Sequence, residues 1–121
     1  MRRSRGELEA LIMDALWDAD DWLTPRDVQG LVTTSRQPLA YTTVMTILVR
    51  LLEKGMVDRR AAGRAYAYRP GATREQWAAE RMRDILVNAG DPLVALNRFV
   101  DSIDSSQARQ LRKALDARKR R

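Results

Sequence analysis

The chain has 121 residues, 45% hydrophobic and 31% charged, with a net charge of +6, which suits one compact domain or two small lobes and is unlike a disordered chain. It contains no cysteine and no histidine. Disulfides, thiol catalysis and thiolate metal sites are therefore excluded, and the commonest general base and metal ligand are missing, so no catalytic residue, metal or cofactor is expected.

No apolar run approaches the roughly 20 residues of a membrane span. The basic start MRRSRGELEAL has no uninterrupted apolar stretch behind it, so neither a membrane partner nor a signal peptide is expected. Residues 6–19 then read as an amphipathic helix, with Leu8, Leu11, Ile12, Ala15, Leu16 and Ala19 at i, i+3, i+4 spacing. The acids and proline of DADDWLTP end it. Asp18, Asp20 and Asp21 are too loosely spaced for a calcium loop, whose glycine and distal glutamate are also missing, so a metal enzyme built on them is set aside. Thr24 followed by Pro25 predicts a helix start: a hydroxyl cap, then proline where its missing N–H costs nothing. Val28, Leu31 and Val32 give this second helix one apolar face, and TTSRQP reads as a polar turn.

AYTTVMTILVRLLEKGMV, residues 40–57, predicts a third helix of unusual character. Val44, Ile47, Leu48, Leu51 and Leu52 fall within an arc of about 140° at 100° per residue. The opposite arc holds Thr42, Thr43, Thr46, Arg50 and Glu53, with Val49 as the one aliphatic exception. Threonine is a mediocre helix former, because its branched Cβ and its hydroxyl both compete with helical geometry. Three in five positions suggest a task. A threonine can offer its hydroxyl to a phosphate or base edge and its methyl to thymine, and an arginine can pair with guanine or clamp a phosphate. A merely solvated face is the alternative, although such faces favour Glu, Lys and Gln. Gly55 stands where a left-handed residue would end the helix.

After Gly55 the period changes to two. MVDRR and AYAYRP flank AAGR, predicting a hairpin with Gly63 in the turn, Arg59, Arg60 and Arg64 near its tip, and Tyr66 and Tyr68 on one face. Trp22 and Leu23 could add a short third strand. Helix, helix, threonine-bearing helix and basic hairpin make a winged helix-turn-helix. Charge follows the same order. Residues 6–35 hold seven acids against Arg26, and residues 36–69 hold seven bases against Glu53 and Asp58. Either the basic segment is a patch for a polyanion, or opposite charges pair within the fold. The three tryptophans, Trp17, Trp22 and Trp77, read as core or interface residues.

The remainder is helical. Thr73 and Gln76 form a capping box ahead of a helix with Trp77, Met82, Ile85, Leu86 and Ala89 on its apolar face. NAGDP interrupts it, and Asp91-Pro92 starts a helix with Leu93, Leu96, Val100 and Ile103. DSSQ caps another, with Ala108, Leu111 and Leu115, and the chain ends in a basic RKRR. The predicted organisation is mainly α with a small β-hairpin: a winged-helix DNA-binding domain over residues 1–72 and a helical dimerisation region over residues 73–121. About 49 residues of amphipathic helix close a poor core alone. They either pack back on the winged domain or pair with a second copy, and the second is expected because DNA-reading modules of this size commonly double up on two-fold sites. The expected interface residues are Trp77, Met82, Ile85, Leu86, Leu96, Val100, Leu111 and Leu115.

YTTVMTILVRLLEKGMV, preceded by LEALIMDALWD and LTPRDV and followed by GRAYAYRP, resembles the BlaI/MecI family of penicillinase and methicillin-resistance repressors. The resemblance covers nearly the whole chain and is strongest over residues 7–70. It implies a cytoplasmic bacterial repressor, a homodimer on an inverted-repeat double-stranded DNA operator, controlling β-lactamase or related genes. Family members read TACA/TGTA-like half-sites, and Thr42, Thr43, Thr46 and Arg50 lie on the matching helix. Copper-responsive relatives carry a C-terminal cysteine cluster that this chain lacks. β-Lactam-responsive members are cut by a signal-activated protease at an Asn-Phe bond; here LNRFVDS separates Asn97 from Phe99 by Arg98, which makes Asn97, Arg98 and Phe99 a candidate cleavage site. A winged-helix protein-interaction module that never meets DNA, docking through the acidic first helix, is the alternative function.

Overall fold

The computed structural model describes residues 5–32 and 38–121. The chain divides into two compact units, Met1–Trp77 and Ala78–Arg121. Six helices and a two-stranded hairpin follow in the order α1 (Arg5–Ala19), α2 (Pro25–Val32), α3 (Tyr41–Glu53), β1 (Val57–Ala62), β2 (Ala65–Pro70), α4 (Arg74–Val87), α5 (Pro92–Ser102) and α6 (Ser105–Lys119). This is the winged helix-turn-helix order followed by a helical region. The predicted polar turn ending at Pro38 lies largely outside the described residues.

The first unit is built on α1, which contacts α2, α3 and β2. Contact on several sides widens its buried face beyond one stripe. Ile12, Met13 and Leu16 are fully buried, whereas Leu8 and Leu11, which the helical period grouped with them, are only half-buried. Val28 and Val32 of α2 and Val44, Ile47, Leu48 and Leu51 of α3 complete the helical part of the core. The start of α2 is capped as its sequence predicts. The Asp27 N–H donates to Thr24 Oγ1 at 3.2 Å, and the Thr24 N–H donates to Asp27 Oδ2 at 3.0 Å. At the end of α3, Gly55 has φ +76°. The Met56 N–H reaches the Leu51 carbonyl at 2.9 Å and the Gly55 N–H reaches Leu52 at 3.0 Å, the paired bonds of a Schellman ending.

The hairpin is antiparallel with Ala62 opposite Ala65, so Gly63 and Arg64 form a two-residue loop. Gly63 has φ +63°, the backbone a tight hairpin turn requires at its first position. Leu23 adds a single antiparallel bridge beside β2, exchanging bonds with Tyr68 at 2.8 and 2.7 Å. That third chain covers Tyr68, which is fully buried, while Tyr66 on the same face is 44% exposed nearer the tip. The first turn of α4 also belongs to this unit. Thr73 and Gln76 cap it reciprocally at 2.8 and 3.0 Å, and Trp77 meets Trp17 edge-on with ring centres 6.5 Å apart.

In the second unit, Gly90 (φ +78°) turns the chain after α4. Asp91 caps α5 by accepting from the Leu93 and Val94 N–H groups at 3.1 and 3.2 Å, and Asp104 and Gln107 form the capping box of α6. No residue of α5 or α6 is buried. No helix among the described residues is long and apolar enough to cross a membrane.

Candidate nucleic-acid interface

The aliphatic stripe of α3 faces the core, and this fixes where its threonines stand. Thr42 and Thr46 are exposed and Thr43 and Arg50 half-buried. With Arg5 and Leu8 of α1 and Ile47 of α3 they line an open groove of about 320 Å³. The start of α3 carries no acid in its first turn and no side-chain cap, so its free N–H groups favour an anion there. Thr46 donates its hydroxyl proton to the Thr42 carbonyl at 2.8 Å. Its outward chemistry is therefore a methyl group and free oxygen lone pairs. It can accept from an adenine or cytosine amino group or pack on a thymine methyl without disturbing the helix.

Arg5 enters the groove through a residue that no motif singles out. Glu9 is 2% exposed and accepts two bonds from Lys54 Nζ, at 3.0 and 3.1 Å. Arg5 Nε lies 3.7 Å from the same carboxylate. A buried carboxylate must be paired to be tolerated, and here the pairing ties α1 to the C-terminal end of α3. The signal was present in the sequence: Glu9 stands three and four positions before Ile12 and Met13, an acid on an apolar stripe. Nothing in chain order signals that Arg5 approaches α3.

The wing arginines do not form one cluster. Arg59 stacks on Tyr66 at 4.0 Å, and Arg60 stacks on Trp22 at 4.4 Å. They are neighbours on β1, so their side chains leave opposite faces of the hairpin. Trp22 also carries Arg69 at 4.6 Å, so it anchors the wing between two guanidinium groups. Arg64 occupies the exposed tip. Arg50, Arg59, Arg60 and Arg64 make no ion pair with another described residue. Much of the acidic first helix is paired internally: Asp14 and Asp18 each hold Arg74 at 3.0 Å. Pairing within the fold thus accounts for Glu9, Asp14 and Asp18, whereas Arg50, Arg59, Arg60 and Arg64 have no ion pair among the described residues.

The residues assigned to a helical interface separate into two groups. Trp77 is 8% exposed and belongs to the core of the first unit, because α1 reaches the first turn of α4. Met82 and Ile85 are 59% and 65% exposed, as are Leu96 (43%), Val100 (42%) and Leu115 (54%), while Leu86 and Leu111 are half-buried. Asn97, Arg98 and Phe99 are exposed and lie inside α5.

The penicillinase repressor family model matches residues 5–117. The transcriptional regulator BlaI of Mycobacterium tuberculosis, in strains CDC 1551 / Oshkosh and ATCC 25618 / H37Rv, is 39% identical over 113 residues, which cover 91% of this chain and 81% of that protein. Among solved structures, the zinc-responsive MarR family member ZitR of Lactococcus lactis aligns with 99% of this chain and 76% of its own, at 13% identity and a TM-score of 0.43. With its winged helix-turn-helix, its threonine-bearing third helix and a family match along nearly its whole length, the chain belongs to the penicillinase repressor family, whose members are transcriptional regulators and not enzymes.

Proposed function

We propose that this repressor acts as a homodimer on an inverted-repeat operator in double-stranded DNA, with α3 entering the major groove and the wing on the flanking backbone. The observation that carries the reading is the outer face of α3. Thr42, Thr43, Thr46 and Arg50 surround one open groove with Arg5, free of any acid. Thr42, Thr43 and Thr46 read or approach bases, and Arg50 holds phosphate. Arg64 and one of Arg59 and Arg60 meet the backbone from the wing, since the two adjacent residues cannot share a face. The exposed apolar side chains Met82, Ile85, Leu96, Val100 and Leu115, with the half-buried Leu86 and Leu111, form the seam between copies, while Trp77 serves the core of the first unit.

Selection of bound sequences from a random duplex pool tests this. Wild type should enrich an inverted repeat. Thr46→Ala should relax one position in each half-site by about 1 kcal/mol or more. Arg50→Ala should keep the sequence preference and weaken all sequences alike. An unenriched pool would leave the alternative, a protein-interaction module, as the better reading.

The regulated genes proposed are β-lactamase or related resistance genes, on the ground of family membership. For relief of repression we propose a signal-activated protease cutting around Asn97, Arg98 and Phe99. Because these residues are helical, the cut requires α5 to open locally before a protease can hold the strand. Intact masses from the host after β-lactam exposure should include fragments ending between Leu96 and Phe99. Persistence of full-length protein while target genes are derepressed would rule the cut out.

A further inference from the structure

The net positive charge of this protein is carried by residues 105–121, α6 and the two residues after it. Residues 105–121 hold seven bases (Arg109, Arg112, Lys113, Arg118, Lys119, Arg120 and Arg121) and one acid, Asp116, a net of +6 that equals the net charge of the chain. Residues 1–104 hold fifteen bases and fifteen acids and are neutral. Nearly all of these seven bases belong to α6 and its C-cap, since the helix runs to Lys119.

Most of them share one side. At 100° per residue, Arg109, Arg112, Lys113 and Lys119 fall within an arc of about 120° that also contains Asp116, while Arg118 falls on the other side among Ala108, Leu111, Ala114 and Leu115. All four basic residues are exposed, and none makes an ion pair with another described residue. The helix dipole accounts for Arg118 and Lys119, which lie in the last turn. It does not account for Arg109, Arg112 and Lys113 in the middle. There, like charges three and four apart weaken a helix, and Asp116, four after Arg112 and three after Lys113, offsets only part of that repulsion, so helix stability is not what this row supplies.

This basic face, about 15 Å long and interrupted by the one acid Asp116, spans roughly four backbone charges of one duplex strand at one per 3.4 Å. An anionic lipid surface fits less well. The opposite side of α6 offers only Leu111 and Leu115 as large apolar groups, with no aromatic residue to enter a headgroup layer. We infer that the basic face of α6 is a second nucleic-acid surface, holding backbone phosphates of duplex DNA without regard to sequence. The inference rests on the reading of this protein as a DNA-binding repressor, and it adds a non-specific anchor to the operator contacts of α3.

The test uses the full chain, a random-sequence duplex and an operator duplex. In Arg109→Gln/Arg112→Gln/Lys113→Gln, affinity for random duplex should fall about tenfold or more at low salt, and the salt slope should flatten by roughly one unit for each phosphate no longer neutralised. The operator's advantage over random sequence should be unchanged. Arg109→Lys/Arg112→Lys should bind as wild type, since phosphate accepts either cation. Circular dichroism and sedimentation should match wild type for both. A glutamine variant with unaltered affinity and slope overturns the inference, even where wild type binds its operator. So does a loss of binding confined to vesicles of phosphatidylglycerol, which would assign the face to lipid. Wild type that binds no duplex at any salt concentration defeats the DNA-binding reading itself, which is a separate outcome.

Discussion

Operator affinity should fall on the order of 10³- to 10⁵-fold between 50 and 200 mM salt, as for a protein that neutralises roughly 6 to 10 phosphates. Each winged unit supplies Arg50, Arg64 and one of Arg59 and Arg60 as cations, unpaired among the described residues, at or near the proposed contact surface, three per unit and six per dimer. Arg60 keeps its guanidinium edge available while its face lies on Trp22, so stacking and phosphate binding are compatible. Other bases of the unit are already committed, Lys54 to Glu9 and Arg74 to Asp14 and Asp18. Those pairs should contribute little to the salt slope. Fluorescence anisotropy of a labelled operator across that salt range measures the effect directly. A nearly flat dependence would mean that the exposed arginines do not meet phosphate.

Ile85→Asp should abolish the proposed dimer and with it most operator affinity. Ile85 is 65% exposed in the single chain, so the substitution removes little packing within that chain. In an apolar seam it places a carboxylate without a partner, which costs about 3 kcal/mol or more and weakens association over 100-fold. A monomer holds one half-site alone and loses the gain from linking two, which reaches about 10² to 10⁴-fold. Sedimentation equilibrium should show a monomer with unchanged helical content, and operator titration should show the weakened binding. A dimer that persists in Ile85→Asp would place the seam elsewhere on the chain.

The elements and their ends are legible in the order of residues, because they depend on interactions within a few positions. Thr24-Pro25, Thr73 with Gln76, Asp91-Pro92 and Asp104 with Gln107 all start helices where local capping chemistry puts them. Gly55 and Gly63 take the left-handed backbone that their turns require. The stripe of α3 turns Val44, Ile47, Leu48 and Leu51 inward and leaves Thr42 and Thr46 outside, as the helical period demands.

Other features depend on contacts between elements far apart in the chain. Burial of Glu9 becomes tolerable because Lys54, 45 positions away, supplies two hydrogen bonds. Trp77 joins the core of the first unit because Trp17 meets it across the fold. The arginines of the wing look like one cluster in the sequence, yet strand geometry sends Arg59 to Tyr66 and Arg60 to Trp22 on opposite faces. Arg5 reaches the groove of α3 because α1 packs against that helix. Periodicity says which residues share a face of one element, but the partner that each face meets is set only when the elements pack.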